Sequence, residues 1–397
     1  MEFSNWFEVK KAQHEGSLHK LWGPRVVEFE VTNRCNLKCA MCNRWRWPKK
    51  ATESQLTLFQ IKKLFKQLKT AGVQKVLLAG GEPLMRSDFP EIIRIAMRNK
   101  LGVILFTNGT LMNEETVKEL AAIGAEIVFS IDGSNAALHD AIRGVQGTFD
   151  RAIAGIRLAR TFVRRTKSTA TIGINYTVQS VNAADIPAAY KLATVLGVDC
   201  IRFGIVHGTT QTACGLAERR KIRAGLAQLR ELNKNGPKRY ASIYLKAFAD
   251  GNLKVSNMSK GLPALQFFMH KPRQCFLCQQ YALIDAFGDV YPCTYSYYDN
   301  HSFNERLHER VNNRLGNILK KPFDEIWNGS RYNAFRKSHN PVNILCEKNV
   351  CGQCEHYFAF EKIEQAIELA EKAEKMLAKI SYDDYSYCGS NVFETGI

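Results

Sequence analysis

Of the twelve cysteines in this 397-residue chain, nine fall into three tight groups: Cys35, Cys39 and Cys42; Cys275, Cys278 and Cys293; and Cys346, Cys351 and Cys354. Three thiolates within eight residues can wrap one small iron–sulfur cluster, and a cubane held by three cysteines leaves one iron open to a substrate or cofactor. Spacings of four and three would also line one face of a helix, but Asn33 and Asn36 are turn formers and Pro48 soon interrupts. A zinc knuckle would need a fourth Cys or His nearby, and none occurs between Asn43 and Ile104. The remaining cysteines, Cys200, Cys214 and Cys388, stand alone.

The first group directly follows a strand-like run, and the elements around it form a pattern. Short β-branched runs at Val26–Val31, Lys75–Ala79, Gly102–Thr107, Ala125–Ile131, Thr169–Val178 and Asp199–Ile205 predict six strands. Between them, apolar stripes at helical spacing predict helices at Leu56–Thr70, Phe89–Arg98, Glu114–Ile123, Phe149–Val163 and Ala184–Leu196. Repeated βα units of this kind build an α/β fold, a partial (β/α)6 TIM-like barrel, whose chemistry collects at the C-terminal ends of the strands. After a basic helix at Glu218–Asn233, the segment Asn235-Gly236-Pro237 ends the alternation. The expected division is residues 1–235 for the barrel, 236–360 for a cysteine-rich module, and 361–397 for a C-terminal helix and tail, the helix running over Phe358–Ile380.

The motif Cys-x3-Cys-x2-Cys after the first strand of a βα repeat resembles that of the radical S-adenosylmethionine superfamily. The resemblance implies a [4Fe-4S] cluster on Cys35, Cys39 and Cys42, with S-adenosylmethionine on the open iron. Reductive cleavage then gives a 5′-deoxyadenosyl radical that abstracts a substrate hydrogen. Met41 stands where the family usually has an aromatic residue near the adenine, and a polarizable thioether can substitute.

Further loops carry the same resemblance. Ala79-Gly80-Gly81-Glu82-Pro83 resembles the family's loop for the methionyl amino group, where glycines allow close backbone approach and a carboxylate suits an ammonium. Strand three ends in Asn108-Gly109 and strand four in Ser130-Ile131-Asp132-Gly133. The family places such polar tips at the cofactor, which makes Asn108, Ser130 and Asp132 candidates, Ser130 near the ribose and methionyl carboxylate. His139-Asp140-Ala141-Ile142-Arg143-Gly144 resembles a stretch whose arginine reaches the methionyl carboxylate, a task suited to a planar fork. Each of these also reads as an ordinary turn or surface ion pair.

The C-terminal cysteines, with Gly288-Asp289-Val290-Tyr291-Pro292-Cys293 between them, resemble the SPASM/twitch extension that holds auxiliary iron–sulfur clusters. Cys278, Cys293, Cys351 and Cys354 would complete one auxiliary [4Fe-4S] cluster, with Cys275 and Cys346 as alternates. A structural zinc on the same cysteines is the competing reading by spacing alone. In a radical enzyme Cys388 or Cys214 could donate a hydrogen atom, although a lone cysteine also reads as a small buried hydrophobe.

The resemblance implies an enzyme acting on a peptide or protein side chain, or alternatively on a small sugar or nucleotide by oxidation, rearrangement or epimerisation. It also implies a low-potential electron donor such as flavodoxin or ferredoxin. The formal charge of +17 suits an anionic substrate. Trp45 and Trp47 beside Arg44 and Arg46 offer a nucleic-acid-stacking alternative, which leaves the Gly80–Pro83 loop and the βα alternation unexplained. No run reaches the roughly 18 apolar residues of a membrane span, and the first twenty residues are too polar for a signal peptide, so a cytoplasmic location is expected.

Overall fold

A computed structural model describes residues 23–53, 55–206, 212, 214, 216–233, 240–241, 253–258, 262–267, 277–294, 297 and 314–338. The strands and helices follow in the order of the open, partial (β/α)6 barrel expected from the sequence. By compactness the chain divides into two units, one of residues 1–36, 43–105 and 269–351, the other of 37–42, 106–268 and 352–397.

In the first unit, β1 (Val26–Thr32) pairs in parallel with β2 (Lys75–Gly80), from Val26 opposite Lys75 to Glu30 opposite Ala79. β2 in turn pairs in parallel with the start of β3 (Gly102–Thr107). The helix α1 (Leu58–Thr70) begins at Thr57, whose hydroxyl accepts from Gln60 N while Gln60 Oε1 accepts from Thr57 N. This reciprocal cap satisfies two amides that the helix cannot pair internally. Its buried face, Ile61, Leu64, Phe65 and Leu68, covers the sheet, with Phe65 edge-on to Phe29 of β1. The helix α2 (Phe89–Arg98) opens with Pro90, which needs no amide partner there.

The cysteine-rich segment supplies part of the same unit. The strand β10 (Tyr281–Ile284) lies parallel to β1 on its other side, and the hairpin to β11 (Asp289–Tyr291) turns on Gly288 at φ 83°. Asp285 Oδ1 ties that turn by accepting from Phe287 N and Asp289 N. A short β12 (Gly316–Asn317) adds to β11, and α8 (Phe323–Trp327) and α9 (Ser330–Ser338) follow. Arg336 is buried over the rings of Trp327 and Tyr332 and donates to the carbonyls of Cys278 and Trp327.

Every residue of β1 is buried, on both faces of the strand, including Glu28 and Glu30. Tyr281 and Thr294 hydroxyls donate to Glu28 Oε2, and burial pushes the Glu28 carboxyl up to about 7. An acid raised in the folded state holds a proton that the unfolded chain has lost, so stability falls as pH rises from about 4.5 to about 7. Glu28→Gln keeps both hydrogen bonds, and urea unfolding should show it more stable than wild type by about 3 kcal/mol at pH 8, with the difference vanishing near pH 4.

In the second unit, β4 (Glu126–Ser130), β5 (Thr171–Val178), β6 (Cys200–Ile205) and β7 (Tyr240–Ala241) pair in parallel in that order. α3 (Glu114–Ala122) leads into β4, and α4 (Ala136–Arg143), α5 (Thr148–Thr166), α6 (Ile186–Leu196) and α7 (Leu216–Asn233) make the connections that follow. Asn113 and Asn135 cap α3 and α4, accepting from Thr116 N and Leu138 N. Asp140 of α4 accepts from Gly147 N, Thr148 Oγ1 and Phe149 N, and so caps the start of α5. β8 (Leu253–Met258) and β9 (Leu262–Phe267) form a separate antiparallel pair. No helix among the described residues is long and apolar enough to cross a membrane.

Candidate functional site

In the first unit the Gly80–Pro83 loop is laced to the chain just ahead of Cys35. Gly81 N donates to Thr32 O and Glu82 N to Arg34 O, both at 2.7 Å. Gly80 adopts φ 125°, and a side chain there would meet Thr32 O. A Cβ on Gly81 would fall 2.0 Å from Arg34 O. Glu82 is buried and its Oε1 accepts from Leu84 N at 3.1 Å, so this carboxylate also shapes the turn Pro83–Met85. Arg86 anchors that turn, donating to the carbonyls of Val31 and Leu56 and forking onto Asp88.

In the second unit, Leu37–Cys42 is held by the end of α4. Lys38 N donates to Arg143 O at 3.1 Å and Ala40 N to Ile142 O at 2.9 Å, while Cys42 N closes a turn on Cys39 O. Gly144 ends α4 in the left-handed region at φ 71°, with Lys38 O only 2.4 Å from where a Cβ would stand. The Arg143 guanidinium divides between Asp132 Oδ2, at 2.7 Å, and Cys39 Sγ, at 3.7 Å. Burial pushes the Asp132 carboxyl up, and the Arg143 charge pulls it back down. Cys39 is pulled the same two ways.

Around Asp132 the fold adds residues that the sequence reading missed. Asp132 Oδ1 accepts from Thr177 N, Asp132 O accepts from Asn182 Nδ2, and Asp132 N donates to His139 Nδ1. Burial drives His139 down to about 3, so its imidazole is neutral and can accept. Gln179 Nε2 reaches Met41 Sδ at 3.8 Å. The available signal for Gln179 and Asn182 was their position just past β5, at the strand ends where such folds gather function.

The predicted cofactor residues are thus distributed. Gly80, Gly81 and Glu82 form one laced loop, and Asp132 and Arg143 form one buried pair. Asn108 is buried and its Oδ1 accepts from Thr110 N and Thr110 Oγ1 within its own turn. Ser130, at the tip of β4, is half-buried. Cys35, Cys39 and Cys42 are in no disulfide among the described residues and are half-buried, buried and exposed in turn. Among the described residues, no three His, Cys, Asp or Glu side chains are gathered closely enough to hold a metal ion. What fits a cluster is the donor chemistry, three reduced soft ligands on one short loop whose backbone is tied at Lys38 and Ala40.

Cys278 and Cys293 are buried thiols in the first unit, in no disulfide among the described residues. Cys275, Cys346, Cys351, Cys354 and Cys388 lie outside the described residues, as does the expected helix Phe358–Ile380. Cys214 is buried with its Sγ 3.8 Å from Val178 O, and burial pushes its thiol up to about 12, so it carries its hydrogen at neutral pH.

The nucleic-acid alternative is corrected here. Arg44 is buried, forking onto Glu30 at 2.7 and 2.8 Å, and Trp47 packs on Leu283, Tyr291 and Tyr297. Arg44 and one side of Trp47 are therefore taken up by contacts within the protein.

Residues 29–185 match the Radical SAM superfamily, and residues 275–355 match SPASM, an iron-sulfur cluster-binding domain. The chain belongs to the radical S-adenosylmethionine enzymes and carries a C-terminal SPASM domain. Its cofactors are accordingly a [4Fe-4S] cluster and S-adenosylmethionine, with auxiliary iron–sulfur binding in the SPASM domain. An AdoMet-dependent heme synthase of Methanosarcina barkeri is 29% identical over 343 residues, covering 84% of this chain and 89% of that protein. The mycofactocin maturase MftC of Mycobacterium tuberculosis is 27% identical over 350 residues, covering 84% of this chain and 76% of its own. The crystal structure of Streptococcus suis SuiB bound to S-adenosylmethionine is similar in fold, with a TM-score of 0.60 at 17% identity over 92% of this chain and 80% of that one.

Proposed function

We propose that Cys35, Cys39 and Cys42 hold the radical-generating cluster, and that the enzyme abstracts a hydrogen atom from a peptide or protein side chain. The observation that carries the cluster assignment is the lacing of Gly81 and Glu82 onto Thr32 and Arg34, which fixes the chain entering Cys35. When bound, the cluster and S-adenosylmethionine supply a 5′-deoxyadenosyl radical, and the protein's own residues position the reactants and exclude water. Gly80, Gly81 and Glu82 would take the methionyl amino group. Asn108 and Ser130 would take hydroxyl and carboxylate oxygens. Arg143 would present its fork to the carboxylate while Asp132 holds that fork in orientation, as the 2.7 Å ion pair supports.

In this reading, residues 1–235 form the radical core, 236–360 the auxiliary-cluster domain and 361–397 a C-terminal helix and tail. Cys278, Cys293, Cys351 and Cys354 hold one auxiliary [4Fe-4S] cluster, with Cys275 and Cys346 as alternates, and Cys214 or Cys388 supplies a hydrogen atom where the product is an epimer. The enzyme works in the cytoplasm, where thiols stay reduced.

The similarity to a maturase supports the peptide substrate. A second reading, a tetrapyrrole bearing carboxylates, is favoured by the heme synthase relative that aligns over 89% of its own length. The two separate in one assay with reconstituted enzyme. Deuterium from a uniformly deuterated peptide library should appear in 5′-deoxyadenosine, and Fe-coproporphyrin III should not stimulate its formation. Stimulation by the porphyrin alone would reject the peptide in favour of the second reading.

A further inference from the structure

Within the first unit, Arg336 of α9 is a buried cation, 2% exposed, that makes no ion pair among the described residues. Its Nε donates to Cys278 O at 3.1 Å, and its Nη1 donates to Trp327 O at 2.7 Å and to Asn333 Oδ1 at 2.8 Å. The guanidinium carbon packs against two rings, 4.2 Å from the centre of Trp327 and 4.0 Å from that of Tyr332. The remaining nitrogen, Nη2, is buried too, and it has no hydrogen-bond partner among the described residues.

Two carbonyls, one amide oxygen and two ring faces offer partial charges only. A cation taken out of water is costly unless an anion meets it and its donors are satisfied. Burial accordingly pulls the Arg336 guanidinium down to about 10, while Tyr332 and the Cys278 thiol favour its charged form, so it is still a cation at neutral pH. A planar fork held at three acceptors and packed on two rings has little freedom to turn, so Nη2 is fixed where it stands. What this site lacks is an anion, and the group that the SPASM domain binds is one.

We propose that Arg336 Nη2 donates to the auxiliary iron–sulfur cluster, at a sulfide or a ligand sulfur, and that this countercharge raises the cluster's reduction potential. The inference rests on the reading of Cys278 as a ligand of that cluster. The same Cys278 gives its carbonyl to Arg336 Nε, so the guanidinium and the ligand are tied into one assembly. A cubane held by four thiolates is anionic and becomes more so on reduction, and a buried cation within hydrogen-bond range therefore favours the reduced form. Arg336 acts as a positioning residue. It orients Cys278 through the carbonyl and sets the charge around the cluster, and no proton leaves it.

The test uses the full chain, reconstituted without oxygen, in the Cys35/Cys39/Cys42→Ala background, where the auxiliary cluster is left to titrate and about four irons are expected. Dithionite with mediators supplies one electron per cluster, no bond is made or broken, and electron paramagnetic resonance follows the reduced form. Arg336→Met should make reduction about tenfold less favourable, a midpoint lower by about 59 mV for one electron. Arg336→Lys keeps the charge without the fork and should recover part of that shift. A midpoint in Arg336→Met equal to the parent's, with iron retained, would overturn the proposal. A second measurement needs no substitution: isotope-labelled guanidinium nitrogens should couple to the reduced cluster in pulsed electron paramagnetic resonance, and Arg336→Lys should remove that coupling. Its absence from the parent would overturn the proposal even where Arg336→Met fails to load iron. Failure of the ligand reading is distinguishable, because the parent would then hold no iron, or Cys278→Ala would keep its full complement, and the proposal would fall with it.

Discussion

Gly81→Ala is expected to lower S-adenosylmethionine cleavage about a hundredfold while leaving the fold intact, the scale that follows a displacement of about 1 Å in an active site. The added methyl would stand 2.0 Å from Arg34 O, 2.5 Å from Arg34 C and 2.9 Å from Asn33 C. These are backbone atoms and cannot swing aside. Either the Gly80–Pro83 loop lifts or the chain entering Cys35 moves, and the 2.7 Å bond from Glu82 N to Arg34 O is lost in both cases. Gly102→Ala is the control, since its methyl would meet the flexible Lys75 side chain at 3.0 Å and should cost little. Cleavage rate, cofactor binding by equilibrium dialysis and circular dichroism on both variants decide the matter. Wild-type cleavage in Gly81→Ala would show that this packing does not set the site.

Arg44→Met should destabilise the protein by about 3–5 kcal/mol, the usual cost of stranding one partner of a buried ion pair. Glu30 is buried, and three of its hydrogen-bond contacts come from Arg44 and Tyr297. Removing the guanidinium leaves that carboxylate to be neutralised by a proton or exposed. The double variant Glu30→Gln/Arg44→Met removes the charge on both sides and should recover much of the loss, so a double-mutant cycle by urea unfolding should give a large coupling energy. Equal losses that simply add would mean that the pair does not bear on stability.

Much of the barrel was legible because its signals are local. The runs at Lys75, Gly102 and Asp199 became strands within a residue or two of their expected bounds, since a strand with no sequence-local alternative follows its apolar pattern. At Thr169 the strand begins two residues later, where Ser168 Oγ bonds to Ala121 O and accepts from Ala170 N ahead of the first ladder residue. The helix α4 was overlooked although Asn135 and Gly144 cap its two ends. It is eight residues long, too short for a periodic stripe to stand out.

Contacts distant in sequence were the illegible part. β10 pairs with Val26–Thr32 from more than 250 positions away, and nothing near that run in sequence shows that Glu28 and Glu30 are buried. Arg44 reads as one cation in a basic run, and only the fold shows it buried against Glu30. Among the cofactor residues, the Gly80–Pro83 loop could be found from its motif. The tie between Asp132 and Arg143 could not, because it depends on how α4 returns along the end of β4.

The central claim is that Cys35, Cys39 and Cys42 hold a cluster that cleaves S-adenosylmethionine. The most direct measurement is made on anaerobically reconstituted protein, counting iron per chain and assaying 5′-deoxyadenosine with dithionite, beside a Cys35/Cys39/Cys42→Ala variant. About eight irons in the wild type, falling to about four in the variant with 5′-deoxyadenosine abolished, is the predicted result. Zinc in place of iron, or a fully reconstituted wild type that forms no 5′-deoxyadenosine, would contradict it.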